Sequence, residues 1–467
     1  MERTLERITV ISLIQKLKRQ SLHGVWPSVE LSLSTDSRQA DQTNFFFALV
    51  GEKFDAFQFV EQVISQGCPL ILFQYSEEKD KKALELSKLH NVTFVGVSDT
   101  TKSLQELAHL RRFEWGQKGG KVIGVAGSNG KTTTKEILRS LLEHSGFNVC
   151  ATEKNNNNHI GVPLTILSVK DFHQVLILEF GSNHPGEMEV LCRISEVDAG
   201  IITNIGDTHL EFFQNRENVL KEEAEIFFQM QKKSKGLIVL PQEDVLLATL
   251  KDNSIIHQVS QLNWSKKTIA FDFGNSHFEL ENDQLEGRHN FVNLAMATSL
   301  AQTVWPAMKD KILLSAQKVN LPKNNRSEFI HLQNTTIFLD AYNANPSSMR
   351  AALELFNHWC TEKSIPLEKR CYILGDMYEL GDKEEAYHQE LGKELRTMKA
   401  SHCYFVGKFS LAYNRGFGQG HCFSHPDDLK PQMSDLKSKF SAFFIKGSRG
   451  IKLESLLANE ERSHTGH

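Results

Sequence analysis

At 467 residues, with 40% apolar and 24% charged side chains, the chain has the length of about three ordinary domains and a water-soluble globular balance. A formal net charge of −4 gives no basic footprint, which excludes nucleic acid and membrane insertion as expected partners. Seven scattered cysteines without a C-x-x-C pair argue for reduced thiols in a cytoplasmic protein, and the apolar run Ile8 to Ile14 is too short for a membrane span or secretory signal.

The first block, to about residue 115, alternates strands such as Pro69–Phe73 and Val92–Val97 with helices such as Thr101–Arg112. The glycine-rich break from Gly116 to Gly120 reads as a linker. An apolar strand then runs into Gly127-Ser128-Asn129-Gly130-Lys131-Thr132-Thr133, and Ile137, Leu138, Leu141 and Leu142 recur behind it at helical spacing. A glycine-rich turn between strand and helix aims backbone N–H groups into one concavity suited to nucleotide phosphates. Lys131 adds a charge near the β- and γ-phosphates, and the Thr132 hydroxyl is placed to ligate Mg²⁺. The commonest form of this turn has a glycine at the position of Val125; here Gly124 stands one residue earlier.

Farther along, the apolar runs Val175–Leu178 and Ala199–Thr203 read as buried parallel strands with functional residues at their carboxyl ends. Glu179 follows the first, where it can share the Mg²⁺ with Thr132; Asn204 to His209 follow the second as a glycine turn with a histidine. The run Asn155 to Asn158 is either a polar loop or a set of amides for a polar substrate. The third block begins near Leu321-Pro322, with strands at Thr336–Leu339, Cys371–Leu374, His402–Val406 and Ala442–Ile445.

These segments resemble the Mur ligases, ATP-dependent amide-forming enzymes of peptidoglycan precursor synthesis. The likeness rests on Ser34 to Arg38, Phe45 to Leu49 with Gly51-Glu52, the phosphate turn, Asn155 to Pro163 and Glu179 to His184. It continues through Asn204 to Glu211, Glu286 to Asn290, Asp340 to Pro346, Gly375 to Met377 with Glu379 to Gly381, and Lys446 to Arg449. The segment Asp340-Ala341-Tyr342-Asn343-Ala344-Asn345-Pro346 is the most specific, and it points to members that join D-alanyl-D-alanine to a UDP-N-acetylmuramoyl-tripeptide.

The resemblance implies an α/β, three-domain Mur ligase architecture with a central P-loop ATPase domain and a Rossmann-like C-terminal domain. Residues 1–115 would bind the UDP-sugar, 116–320 ATP, and 321–467 the acceptor dipeptide. Gly127, Ser128, Asn129, Gly130, Lys131, Thr132 and Thr133 would hold ATP, with Asn290 at the adenine, Arg326 at the γ-phosphate and Asp340 at the ribose. Thr132 and Glu179 would share one Mg²⁺ and His209 would ligate a second; Lys131, Glu179, His209 and Arg326 form the expected catalytic set. Ser34, Asp36, Ser37 and Arg38 would meet the uridine nucleotide, Asn157 and Asn158 the sugar-peptide. Asn343, Asn345, Lys446, Ser448 and Arg449 would lie near the dipeptide and the reacting phosphate. Read without the resemblance, 34–38 is equally a turn and 446–449 a helix N-terminal nest. A monomer is expected.

Three positions depart from the family pattern. Asn325 stands before Arg326 in place of glycine, and Asp55-Ala56-Phe57 replaces the usual Asp-Gly-His. Glu223 occupies the place of a lysine that the family carbamylates. Such a lysine reaches ~3–4 Å farther than glutamate by ordinary bond lengths. Lys221 lies about 200° around the helix and cannot replace it. Glu223 is read either as an anionic metal-site ligand or as a solvated helix residue. Other readings kept open are a different amide ligase such as a folylpolyglutamate synthase, a motor-like NTPase, and a non-catalytic nucleotide-binding regulator.

Overall fold

Strands rich in branched and aromatic residues build three successive large sheets along the chain, whose central strands are buried on both faces. The computed structural model describes residues 11–29, 31–51, 53–232, 236–250, 254–322 and 327–457. In the first sheet β1 (Arg19–His23), β2 (Ser32–Ser34), β3 (Asn44–Ala48), β4 (Leu70–Gln74) and β5 (Thr93–Val97) take the order β1-β5-β4-β3-β2, parallel except for β1. Helix α1 (Glu77–His90) packs on this sheet, and α2 (Thr100–Gln117) leads toward the second. The expected break from Gly116 to Gly120 is shorter, confined to Lys118–Gly120, and the helix continues through Gly116 to Gln117. Gly116 serves packing instead: a Cβ there would fall 2.1 Å from Arg112 Nη1.

Arg112 and its neighbour explain why the helix must hold its shape. Arg112 donates to the carbonyls of Ser195 and Glu196, each at 2.8 Å, and to Asp198 Oδ2 at 2.9 Å. Arg111 donates to Val169 O at 2.8 Å and Asp171 Oδ1 at 3.1 Å. Both guanidinium groups are buried, so the first and second sheets share a charged, hydrogen-bonded joint.

The second sheet contains β6 (Lys121–Ala126), β7 (Val149–Ala151), β8 (Val175–Glu179), β9 (Ala199–Ile202), β10 (Leu237–Pro241), β11 (Ile256–Ser265), β12 (Thr268–Phe273) and β13 (Ser276–Glu281). Their order is β13-β12-β11-β10-β9-β6-β8-β7, with β6 between β8 and β9. The functional strand ends therefore lie side by side. Helices α3 (Lys131–His144), α4 (Gly161–Ser168), α5 (Glu187–Ser195), α6 (Arg216–Glu223) and α7 (Arg288–Val304) cover it. The antiparallel extension β11 to β13 is half-exposed, with Ile269 and Phe271 buried at alternate positions of β12.

The third sheet runs β14-β15-β19-β16-β17-β18, from β14 (Glu328–His331), β15 (Thr336–Asp340), β16 (Arg370–Gly375), β17 (His402–Val406), β18 (His421–Phe423) and β19 (Ala442–Lys446). Helix α8 (Pro346–Glu362) follows β15, and α9 (Glu384–Thr397) follows β16. On α9, His388 is fully buried; its Nδ1 donates to Glu384 O at 2.6 Å and its Nε2 accepts from Met377 N–H at 2.9 Å. That acceptor role requires a neutral ring, and burial lowers the pKa from 6.5 to about 4.

Because the folded pKa lies below the unfolded one, the unfolded chain binds the proton first as pH falls. Stability present above pH 6.5 is then lost progressively toward pH 4, by up to about 3 kcal/mol from this residue. Thermal unfolding midpoints measured across that range should fall, and His388→Gln should flatten part of the slope; an unchanged slope would refute the assignment.

Candidate active site

Between β6 and α3 the chain turns through Gly127 and Gly130, at φ +119° and +79°, conformations that side chains resist. A Cβ on Gly127 would also fall 2.2 Å from Thr203 Oγ1. Gly124 plays a different part, within β6, where a Cβ would meet Ile226 Cδ1 at 2.7 Å. The loop proper is Gly127 to Gly130, and Val125 is a buried strand residue.

Neighbouring strand ends hold this loop. Ser128 N–H donates to Asn204 O at 2.9 Å, and Gly206 N–H donates to Ser128 Oγ at 2.8 Å. Asn204 clasps the Asn129 backbone with its amide, accepting from N–H at 3.2 Å and donating to the carbonyl at 2.9 Å. Lys131 donates to Gly127 O, and its ammonium lies 3.7 Å from Glu223 Oε1. Thr133, two positions on, is half-buried at the start of α3.

Glu179 ends β8 and is buried. Its Oε1 accepts from Thr132 Oγ1 at 2.9 Å and Asn157 Nδ2 at 3.1 Å, while Oε2 is buried without a protein partner. An orphaned carboxylate oxygen beside a threonine hydroxyl is a hard-oxygen donor set that fits Mg²⁺ completed by water and phosphate. Among the described residues, no group of three or more His, Cys, Asp and Glu side chains forms a metal cage.

Glu223 is buried rather than solvated. At the end of α6, its Oε2 accepts Gly127 N–H at 2.7 Å and its Oε1 faces Lys131. The carboxylate expected at a metal site is thus already engaged by the phosphate loop. His209, in the left-handed region at φ 49°, places Nδ1 2.5 Å from Glu379 Oε2 of the third domain. The His209 ring so close to it holds the Glu379 carboxyl below its ordinary range. The motif alone gave Glu379 no role.

Asn290 on α7 donates to Glu286 O at 2.7 Å and keeps a buried, unpartnered Oδ1 that can accept from a base amino group. Beside it, burial lowers the His289 pKa to about 4. Across the seam, Asp340 and Lys446 end the adjacent parallel strands β15 and β19 in register. Lys446 is buried and donates to Asp340 Oδ2 at 2.6 Å and Asn343 O at 2.8 Å. Ser448 Oγ accepts from Tyr378 N–H at 3.1 Å, and the Arg449 guanidinium lies 5.1 Å from the Tyr342 ring centroid. Asn345 is buried and caps α8, so its amide is committed within the protein. Arg326, with Asn325 before it, and Glu52 lie outside the described residues.

In the first domain, Arg38 grips Asp36 through Nε at 2.9 Å and Nη2 at 2.7 Å, while Ser34 Oγ donates to Asp36 O at 3.0 Å. The Arg38 hydrogen bond lowers the Asp36 pKa to about 2. Ser37 completes this turn beside them. Asn158 Oδ1 accepts from Ile160 and Gly161 N–H at 3.1 and 2.9 Å, at the start of α4. Phe57, where the family often has histidine, is buried with its ring centroid 5.1 Å from that of Phe73. Asp55 pairs with Lys79 at 2.5 Å.

The Glu223 geometry gives a direct expectation. Glu223→Gln retains an acceptor for Gly127 but removes the charge opposite Lys131, so nucleotide turnover should require more Mg²⁺. Turnover by the unaltered protein should be insensitive to stripping bicarbonate from the buffer. Activity lost on bicarbonate removal and restored by its return would show that a carbamylated lysine serves instead.

Two family models match: Mur ligase middle domain over residues 125–301, and Mur ligase, glutamate ligase domain over 325–430. A UDP-N-acetylmuramoyl-tripeptide--D-alanyl-D-alanine ligase from Bacillus subtilis is 31% identical over 451 residues, covering 93% of this chain and 92% of the relative. The enzyme of that name from Haemophilus influenzae is 28% identical over 470 residues, covering 97% and 98%. A crystal structure of MurF from Acinetobacter baumannii superposes with a TM-score of 0.82 at 27% identity, covering 98% of each chain. The strand-end site and these matches agree: the chain belongs to the Mur ligase family.

Proposed function

We propose that this chain is an ATP-dependent amide ligase that adds D-alanyl-D-alanine to UDP-N-acetylmuramoyl-tripeptide in cytoplasmic peptidoglycan precursor synthesis. The relatives that carry this activity in their names cover over nine-tenths of the chain. The observation that carries the reading is the meeting of two strand-end clusters. The Gly127–Thr133 loop with Glu179 faces the segment Asp340–Asn345 with Lys446, and Asn129 touches both. No described helix is long and apolar enough to cross a membrane.

A carboxylate resists attack by an amine until it carries a leaving group. Transfer of the γ-phosphoryl group to the tripeptide carboxylate makes an acyl phosphate; the dipeptide amine then attacks its carbonyl carbon, and phosphate departs. Both initial partners are anionic, so cationic groups must offset their repulsion where charge develops. Lys131 and Arg326 are assigned to this role. Mg²⁺, held by Thr132 and Glu179 and by His209 at a second position, would supply further charge neutralisation.

Asn290 would orient the base and Asp340 the ribose. Ser34, Asp36, Ser37 and Arg38 would take the uridine nucleotide, and Asn157 and Asn158 the sugar-peptide. Asn343, Ser448 and Arg449 would border the dipeptide. The proposed domains are 1–115, 116–320 and 321–467. The monomer is the proposed working unit.

Phosphate release from ATP should require the sugar-tripeptide and the dipeptide together. Rapid hydrolysis with neither present would favour an NTPase, and glutamate used with a folate would favour a different ligase. Lys131→Ala should cost ~10²–10³ in rate, because its charge acts mainly in the transition state, and should also lower the unfolding midpoint, because it leaves Glu223 buried without its cation. Near-normal turnover by that variant would remove Lys131 from the mechanism.

A further inference from the structure

The tip of the phosphate loop is bonded to the third domain through a closed ring of three side chains. Asn129 Nδ2 donates to Ser347 Oγ at 3.0 Å, and Ser347 Oγ donates to Asn345 Oδ1 at 2.9 Å. Asn345 Nδ2 closes the ring on Asn129 Oδ1 at 2.8 Å. Each end of the ring is fixed in its own domain. The Asn129 backbone is clasped by Asn204 and by Thr203 Oγ1 at 2.6 Å, while Asn345 Oδ1 also accepts Ser348 N–H at 2.8 Å as the cap of α8. Gly206 lies against the ring, where a Cβ would fall 2.5 Å from Ser347 Oγ and 2.9 Å from Asn129 Nδ2. Nothing about a phosphate-binding turn demands a side-chain amide at its tip, since phosphates are cradled by backbone N–H groups. The Asn129 amide faces the acceptor domain instead.

We propose that Asn129, Asn345 and Ser347 form a latch that makes the shape of the phosphate loop and the docking of the acceptor domain one equilibrium. The three are positioning residues: they hold the acceptor-domain segment beginning at Asp340 against the loop that binds ATP. The second contact across the seam lies close by, where Glu379 offers its carboxylate to His209 and its carbonyl to Glu211 N–H at 3.1 Å. The inference rests on the ligase reading for its substrates, but not for the contact itself. Because linkage is reciprocal, a latch that senses the nucleotide loop must also transmit acceptor binding back to it.

Two variants of the full chain test the latch. Ser347→Ala removes the middle of the ring, and Gly206→Ala drives a methyl group into the seam at a position without positive φ. With a non-hydrolysable ATP analogue bound, small-angle X-ray scattering should give a larger radius of gyration for both variants than for the unaltered protein. The KM for the dipeptide should rise roughly tenfold, the loss expected when a pair of neutral hydrogen bonds goes. The KM for the sugar-tripeptide should stay within twofold, and Ser347→Thr, which keeps a hydroxyl, should restore both readouts. Scattering curves of both variants superimposing on that of the unaltered protein would overturn the latch. If the unaltered protein did not use the dipeptide at all, the substrate reading would fail, and scattering would still decide the latch.

Discussion

A loop that aims its N–H groups at one point concentrates partial positive charge, and here a lysine adds a whole one. Such a loop needs support from behind that does not fill its mouth. Glu223 supplies it, taking Gly127 N–H with one oxygen and facing Lys131 with the other. A carboxylate this deeply buried persists only when paired and hydrogen-bonded, and removing one member of such a pair costs about 3–5 kcal/mol. The arrangement of α6, β6 and the loop is therefore mutually enforced. Gly127 must be glycine because Thr203 and the adjoining β9 strand end press against it, and that same strand end carries the chain on to Asn204 and His209.

The two domain junctions differ in kind, and that difference shapes how the site assembles. The first junction buries two arginines that donate to carbonyls and carboxylates; detaching them would strand charged donors away from water. The second includes a ring of neutral amides and one hydroxyl, the His209–Glu379 contact, Arg350 facing Asp207 at 4.0 Å, Lys266 facing Glu362 at 3.7 Å, and the Trp264 and His358 rings 5.1 Å apart. Neutral hydrogen bonds exchange with water at a net cost of about 1 kcal/mol each. Among the described residues, no guanidinium at the second junction is as deeply buried as Arg111 and Arg112, so its contacts cost less to expose to water.

Asp340 and Lys446 show how the third domain prepares its contribution. They end neighbouring parallel strands in register, so a buried lysine is neutralised by the residue beside it, at the strand ends where open α/β sheets bind ligands. Asn345 then starts α8 with its side chain folded onto the helix, and the helix N-terminus points toward the phosphate loop. Placing a helix N-terminus there adds favourable field for an anionic reactant.

The sequence by itself determined the strand–turn–helix of the phosphate loop, because glycine spacing and the apolar periodicity of α3 are local properties. It also determined that Glu179 and the Asn204–His209 segment end apolar strands, and it marked Glu223 as the odd residue in α6. The linker read from Gly116 begins two residues later, at Lys118, and Gly116 stays inside α2, where a side chain would meet Arg112. Only the tertiary structure decided what Glu223 touches, that Gly124 packs on Ile226 rather than bending the loop, and that Asn129 answers to Asn345 and Ser347. Those contacts join residues up to 218 positions apart, and no local pattern of hydrophobicity or turn chemistry encodes which distant side chain completes a hydrogen bond.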